Sequence, residues 1–196
     1  MARREELEFD RELADLPPEQ RWREWMHWIE AVLFASATPV ARDDLAKVVG
    51  QGASVDLLVA DLAAGLADRP YEVAQVGAGW MLRTKPTYAA AIRAAADVGR
   101  QALPLGEFDL AVLAAIAYQQ PISRVGLKDI FGKEISRDLI GRLAECGLIA
   151  TGPREPRRGA PYTFVTTVAF LAGFGLESLR DLPDPEQIAD AGLAEP

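Results

Sequence analysis

A pattern of seven positions occurs twice in this chain of 196 residues, and it limits the folds open to it. Ala35, Pro39, Val40, Arg42, Leu45, Val48 and Gly50 recur as Ala117, Pro121, Ile122, Arg124, Leu127, Ile130 and Gly132, each pair offset by 82 residues. The physical roles recur with the residues. A proline ends one helix, a β-branched residue packs the turn, and a glycine closes the next helix. The matched positions fall on the same elements in each half, so the chain reads as a duplicated module.

In the first half, Trp25, Trp28, Ile29, Val32 and Leu33 recur at helical spacing and stop before Pro39. Asp43 and Asp44 open a second helix, where acidic side chains face free amides. Leu45, Val48 and Val49 form its apolar face, and Gly50 ends it. Ser54 is a good N-cap for a third helix that buries Val55, Leu58, Val59, Leu62 and Leu66. Residues 71–76 and 80–84 are β-type runs joined through Gly77-Ala78-Gly79, which reads as a hairpin. Three helices followed by a hairpin is the plan of a winged helix. An Ala-rich helix is predicted from Thr87 to Arg100.

The second half repeats that order. Leu110 to Tyr118 is a helix broken at Gln119-Gln120-Pro121. Ser123 caps a helix carrying Leu127, Ile130 and Phe131, closed by Gly132. Ile135, Leu139, Ile140, Leu143 and Cys146 mark a third helix, with Gly147 as its C-terminal cap. Residues 148–150 and 162–165 are the wing strands, around a Gly-, Pro- and Arg-rich segment from Gly152 to Pro161. The expected fold is mainly α (α+β): two tandem winged-helix domains of helix-turn-helix type. The first spans 25–100 and the second 107–183. Residues 1–24 form a charged extension with at most a short helix, 101–106 a linker and 184–196 a flexible tail.

Composition narrows the chemistry. A hydrophobic fraction of 49% with 26% charged residues fits a packed soluble chain. Cys146 and His27 are the single residues of their types, so no disulfide within the chain and no Cys- or His-rich metal site can be built. The longest apolar run, Leu110 to Tyr118, is too short to span a bilayer. The N-terminal charges are mixed and no apolar core follows, so no signal peptide is predicted and the expected location is the cytoplasm. The Asp43-Asp44 pair is explained by capping, and Gly77-Ala78-Gly79 lacks the helix that a phosphate loop requires. The sequence therefore predicts no catalytic, cofactor or metal residues, and a binding protein rather than an enzyme.

Two kinds of partner are considered. Arg154, Arg157 and Arg158 in the second wing are candidate phosphate contacts, which keeps open an operator-binding transcription regulator. Against it stand a net charge of −8 and a third helix in the first module that carries Asp56, Asp61 and Asp68. The large aromatics Trp25, Trp28, Tyr118, Tyr162, Phe164, Phe170 and Phe174 are the candidate anchors for a protein partner, because aromatic side chains are enriched in interfaces.

Four stretches carry a resemblance to a known family: residues 29–36 with Pro39 and Leu45; residues 113–124, reading Leu-Ala-Ala-Ile-Ala-Tyr-Gln-Gln-Pro-Ile-Ser-Arg; Leu143 to Ile149 with the wing; and Thr166-Thr167, Phe170-Leu171, Phe174-Gly175-Leu176, Leu179 and Asp181-Leu182-Pro183. In this order, over roughly residues 26–185, the chain resembles segregation and condensation protein B, the accessory subunit of the bacterial SMC condensin. It departs from the family pattern at Lys133 to Arg137 and in the wing from Arg157 to Phe164. The resemblance implies two winged-helix modules and a homodimer formed largely through the first. It also implies engagement of the kleisin, segregation and condensation protein A, and through it the SMC ATPase. The implied role is non-catalytic, in chromosome condensation and segregation at the nucleoid, with DNA touched only indirectly or weakly.

Overall fold

The computed structural model describes residues 9–95, 105–153 and 161–184. The chain divides into two compact units, 1–90 and 91–196.

In the first unit, α1 (Pro18–Ala35) begins with proline at its first position, where the missing N–H bond is not needed. The helix starts earlier than Trp25, the beginning suggested by its apolar stripe. Trp22 extends that stripe by one turn, so residues 18–24 belong to the module and not to an extension. Ile29 and Leu33 form the buried edge, with Trp22, Trp25, Met26 and Val32 packed beside them. After Pro39 the chain makes a two-residue strand β1 (Val40–Ala41) and a single helical turn α2 (Arg42–Leu45). Asp43 and Asp44 occupy that first turn as expected, but the predicted helix through Val49 is a series of turns. Leu45 and Val49 are nevertheless buried.

Ser54 caps α3 (Val55–Gly65), its hydroxyl accepting the Leu57 N–H at 3.4 Å. The hairpin β2 (Tyr71–Val76) and β3 (Gly79–Thr84) turns at Gly77, whose φ of 60° suits glycine. Gly79 belongs to the strand and not to the turn, because there β3 passes against β1. A Cβ at residue 79 would lie 2.6 Å from the Val40 carbonyl oxygen. Val40 pairs with Trp80, giving a three-stranded sheet in the order β1-β3-β2. A 3-10 turn at Pro86–Tyr88 leads into α4 (Ala89–Ala95); the rest of the predicted helix and most of the linker lie outside the described residues.

In the second unit, α5 (Glu107–Gln119) buries Val112, Leu113, Ile116 and Ala117. It is followed by β4 (Ile122–Ser123), α6 (Arg124–Phe131) and α7 (Arg137–Glu145). Ser123 and Ser136 cap the two helices, accepting N–H bonds from Gly126 and Leu139. Ile135, predicted inside α7, is buried just ahead of that cap. Gly147 takes a φ of 70° behind α7, and Leu148 N–H reaches the Leu143 carbonyl at 3.0 Å, a Schellman closure. Strands β5 (Ile149–Thr151) and β6 (Thr163–Thr166) form the wing, and Ile122 pairs with Phe164, so the sheet order is β4-β6-β5. The repeat is thus physical: Val40 and Ile122 sit in equivalent short strands beside the last strand of their sheet. An element absent from the sequence reading follows, α8 (Val168–Phe174), then a 3-10 turn at Leu179–Asp181. Among the described residues no helix is long and apolar enough to cross a membrane.

Candidate docking groove

The second unit has an open apolar groove of about 430 Å³ along α5. Leu110, Ala114, Ala117 and Tyr118 recur at helical spacing on one side of that helix and line the groove together with Leu113. Alpha-helix α8 supplies Phe170, which is buried, and Phe174, which is 47% exposed. Their rings lie 4.8 Å apart, centroid to centroid. Thr167 starts α8 by accepting the Phe170 N–H at 3.2 Å, while its own hydroxyl donates to the Gly147 carbonyl. At the other end Gly175 adopts a φ of 69°, and Leu176 folds back to bond the Leu171 carbonyl at 2.9 Å. That closure turns Leu176 into the groove.

The far wall is the segment through Leu182 and Pro183. Ser178 and Asp181 brace it: the Asp181 carboxylate accepts the Ser178 N–H at 2.7 Å, and the Ser178 hydroxyl accepts the Arg180 N–H at 3.2 Å. The Tyr118 hydroxyl donates to the Pro183 carbonyl at 2.5 Å, tying this wall to α5. Asp181 is the one carboxylate among the lining residues and no basic side chain joins it there, so the groove suits apolar side chains of a peptide or helix rather than a charged small molecule.

A second bracket fixes α5. The Gln120 side-chain amide donates to the Ala117 carbonyl and to Thr166 Oγ1, and its oxygen accepts the Thr166 N–H at 2.8 Å. Below it, Arg142 donates to Asp109 at 2.7 Å, and Asp109 also accepts the Gly106 N–H. Hydrogen bonding from Arg142 holds the Asp109 carboxyl below its usual range, with burial acting in the opposite sense.

The seven aromatic candidates divide. Tyr118, Phe170 and Phe174 come together at the groove. Phe164 packs partly buried against the core, and Tyr162 is exposed outside the groove. In the first unit Trp25 and Trp28 meet residues of their own chain: Trp25 Nε1–H donates to the Arg11 carbonyl at 2.8 Å, and the Phe9 ring lies 4.8 Å from that of Trp28. Arg154, Arg157 and Arg158 fall outside the described residues. Leu110, Leu176, Leu182 and Pro183 enter the sequence reading as helix or family-pattern positions and not as site residues; the spacing of Leu110, Ala114 and Tyr118 on one side of α5 is the signal that could have found this face. On α3, Asp56 pairs with Arg42 at 2.7 Å and Asp61 accepts the Trp22 indole N–H at 2.8 Å. Among the described residues no cluster of three or more His, Cys, Asp or Glu could hold a metal ion.

Two units of one topology, each with a helical core and a sheet whose last strand lies between the other two, define the chain as a tandem winged-helix protein. The profile of "Segregation and condensation complex subunit ScpB" matches residues 27–185, and the chain belongs to that family. Segregation and condensation protein B of Moorella thermoacetica is 33% identical over 165 residues, covering 82% of this chain and 83% of that protein. The Symbiobacterium thermophilum protein of the same name is 33% identical over 183 residues, covering 89% and 80%. The crystal structure of ScpB from Mycobacterium tuberculosis aligns at 25% identity with a TM-score of 0.36, covering 79% of this chain and 97% of that one.

Proposed function

We propose that this chain is a non-catalytic subunit of the bacterial SMC–kleisin complex and acts in chromosome condensation and segregation. It binds the kleisin, segregation and condensation protein A, as a homodimer, and reaches the SMC ATPase through it. Residues 25–100 serve dimerisation and residues 107–183 serve kleisin binding, in the cytoplasm at the nucleoid. The observation that carries this reading is the family match, which runs through both units. The apolar groove of the second unit supports it, since an amphipathic kleisin segment is the kind of ligand such a groove accepts. The carboxylates of α3 and the net charge of −8 disfavour phosphate as the main partner.

Light scattering coupled to size exclusion tests the proposal. The protein alone should elute at twice the 21.3 kDa chain mass and shift to a larger complex with its cognate kleisin. A monomer that ignores the kleisin refutes it. Salt-sensitive nanomolar binding of the protein alone to one defined duplex would instead favour the operator-binding reading that rests on Arg154, Arg157 and Arg158.

A further inference from the structure

The chain ahead of α1 folds back along that helix. Trp25 and Trp28 stand three residues apart, on one side of α1. The Arg11 carbonyl accepts the Trp25 indole N–H at 2.8 Å, and two residues earlier the Phe9 ring packs 4.8 Å from that of Trp28. Residues 9–12 therefore run antiparallel to α1, and two extended residues span the step from Trp25 to Trp28. Glu12 ends this strap, its two carboxylate oxygens sharing the Gln51 N–H at 3.1 Å. An aromatic anchor, a backbone acceptor and a carboxylate, taken in order, are the contacts of a short peptide seated on a receptor.

Two features set the strap apart from the core beneath it. It precedes residues 27–185, the span that matches the family profile. It also hangs on a strained joint. Leu13, at φ 48°, is the one non-glycine residue in the left-handed region among the described residues. Asp10 Oδ1 holds the bend by accepting the Glu12 and Leu13 N–H groups at 3.0 and 3.4 Å. Phe9 stays 56% exposed on Trp28, whereas Ile29, Leu33 and Leu58 below are buried. Strain at the joint and a half-exposed anchor both reduce what closure gains, so the strap belongs to the low-stability end of this unit.

We infer that residues 9–12 are a detachable strap, which opens about Leu13 while the first unit stays folded. The Trp25–Trp28 face it covers is a docking site for an extended peptide of the same chemistry, with an aromatic side chain three residues ahead of a carboxylate. The closed strap is the autoinhibited state. An incoming peptide meets only the open fraction, so its apparent dissociation constant is raised by the inverse of that fraction.

Two measurements on the full chain test this. In the first, the acetylated and amidated peptide of residues 9–16, which has no tryptophan, is titrated into the unmodified protein and into Phe9→Ala, with tryptophan emission as the readout. Phe9→Ala should open the strap and lower the peptide's apparent dissociation constant about tenfold, while circular dichroism checks that the variant keeps its helices. Affinity for Phe9→Ala that is equal, weaker or absent overturns the docking site. In the second, amide exchange is followed by NMR. The Gln51 N–H, held by Glu12, should be protected at least about tenfold less than the Leu58 and Leu62 N–H groups of α3, and less again in Phe9→Ala, where those two keep their protection. Gln51 protected as strongly as Leu58 and Leu62 would mean that the strap leaves only when the unit unfolds, and the inference falls.

Discussion

Gly50 lies so close to Trp25 that a Cβ at residue 50 would sit 2.4 Å from the Cζ2 of the indole and 3.2 Å from the Glu12 carboxylate. Its backbone is outside the left-handed region, so the demand for glycine is steric and not conformational. The same carboxylate accepts the Gln51 N–H at 3.1 Å, and the Arg11 carbonyl holds the Trp25 indole. Gly50 thus admits a strap, residues 9–12, over the base of α1. Gly50→Ala should push a rigid ring out of place and destabilise the first unit by about 1–3 kcal/mol. All four tryptophans lie in that unit, so urea unfolding followed by tryptophan fluorescence reads the loss directly. An unshifted midpoint would mean that Trp25 does not rest against Gly50.

Asp109 predicts an acid dependence for the second unit. Its folded pKa is lowered, first by the Arg142 hydrogen bond. A depressed carboxyl pKa contributes stability above the group's unfolded value and loses it as pH falls through the folded value. The second unit should therefore lose stability from the ordinary carboxylate range downward. Asp109→Asn should melt lower at neutral pH and show a flatter acid limb than the unmodified chain. Parallel acid limbs in melting curves taken across pH would show that the Asp109–Arg142 pair is not the group responsible.

How much of this was legible in the sequence follows from the range over which each signal acts. The caps at Ser54, Ser123, Gly132 and Gly147 were readable because each is satisfied within a few residues of itself. The repeat was readable because Pro39 and Pro121, or Leu45 and Leu127, do the same local work. Strands β1 and β4 were missed: two residues are too short for any period, and only pairing with Trp80 and Phe164 makes them strands. Periodicity located the stripe on α1 but not what covers it, so Trp25 and Trp28 read as anchors for another protein although Arg11 and Phe9 reach them. The groove needed α8 and the Tyr118–Pro183 bond, which joins residues 65 apart in the chain.

Leu139 faces the second core from α7 and is only 4% exposed. Leu139→Asp would bury a carboxylate among Ile116, Leu127, Leu143 and the other members of that core. The expected cost is about 3–5 kcal/mol, enough to unfold a small module. Amide hydrogen exchange over α5 to α8 should show protection lost throughout those helices. Retained protection would place this side of α7 at the surface.

Phe174 separates the groove's role in binding from its role in stability. Nearly half exposed, it contributes little to the core, which Phe170 fills from the same helix. Phe174→Ala should leave the melting temperature close to that of the unmodified chain. If the kleisin docks in this groove, the ring becomes a buried aromatic anchor, and truncating it should weaken binding tenfold or more. Tyr162→Ala is the matched control: it removes an exposed aromatic from the same unit, but one outside the groove. Calorimetric titration of the kleisin into both variants decides the site. A loss confined to Phe174→Ala puts the kleisin on α5 and α8, whereas equal affinities, or a loss confined to Tyr162→Ala, put it elsewhere.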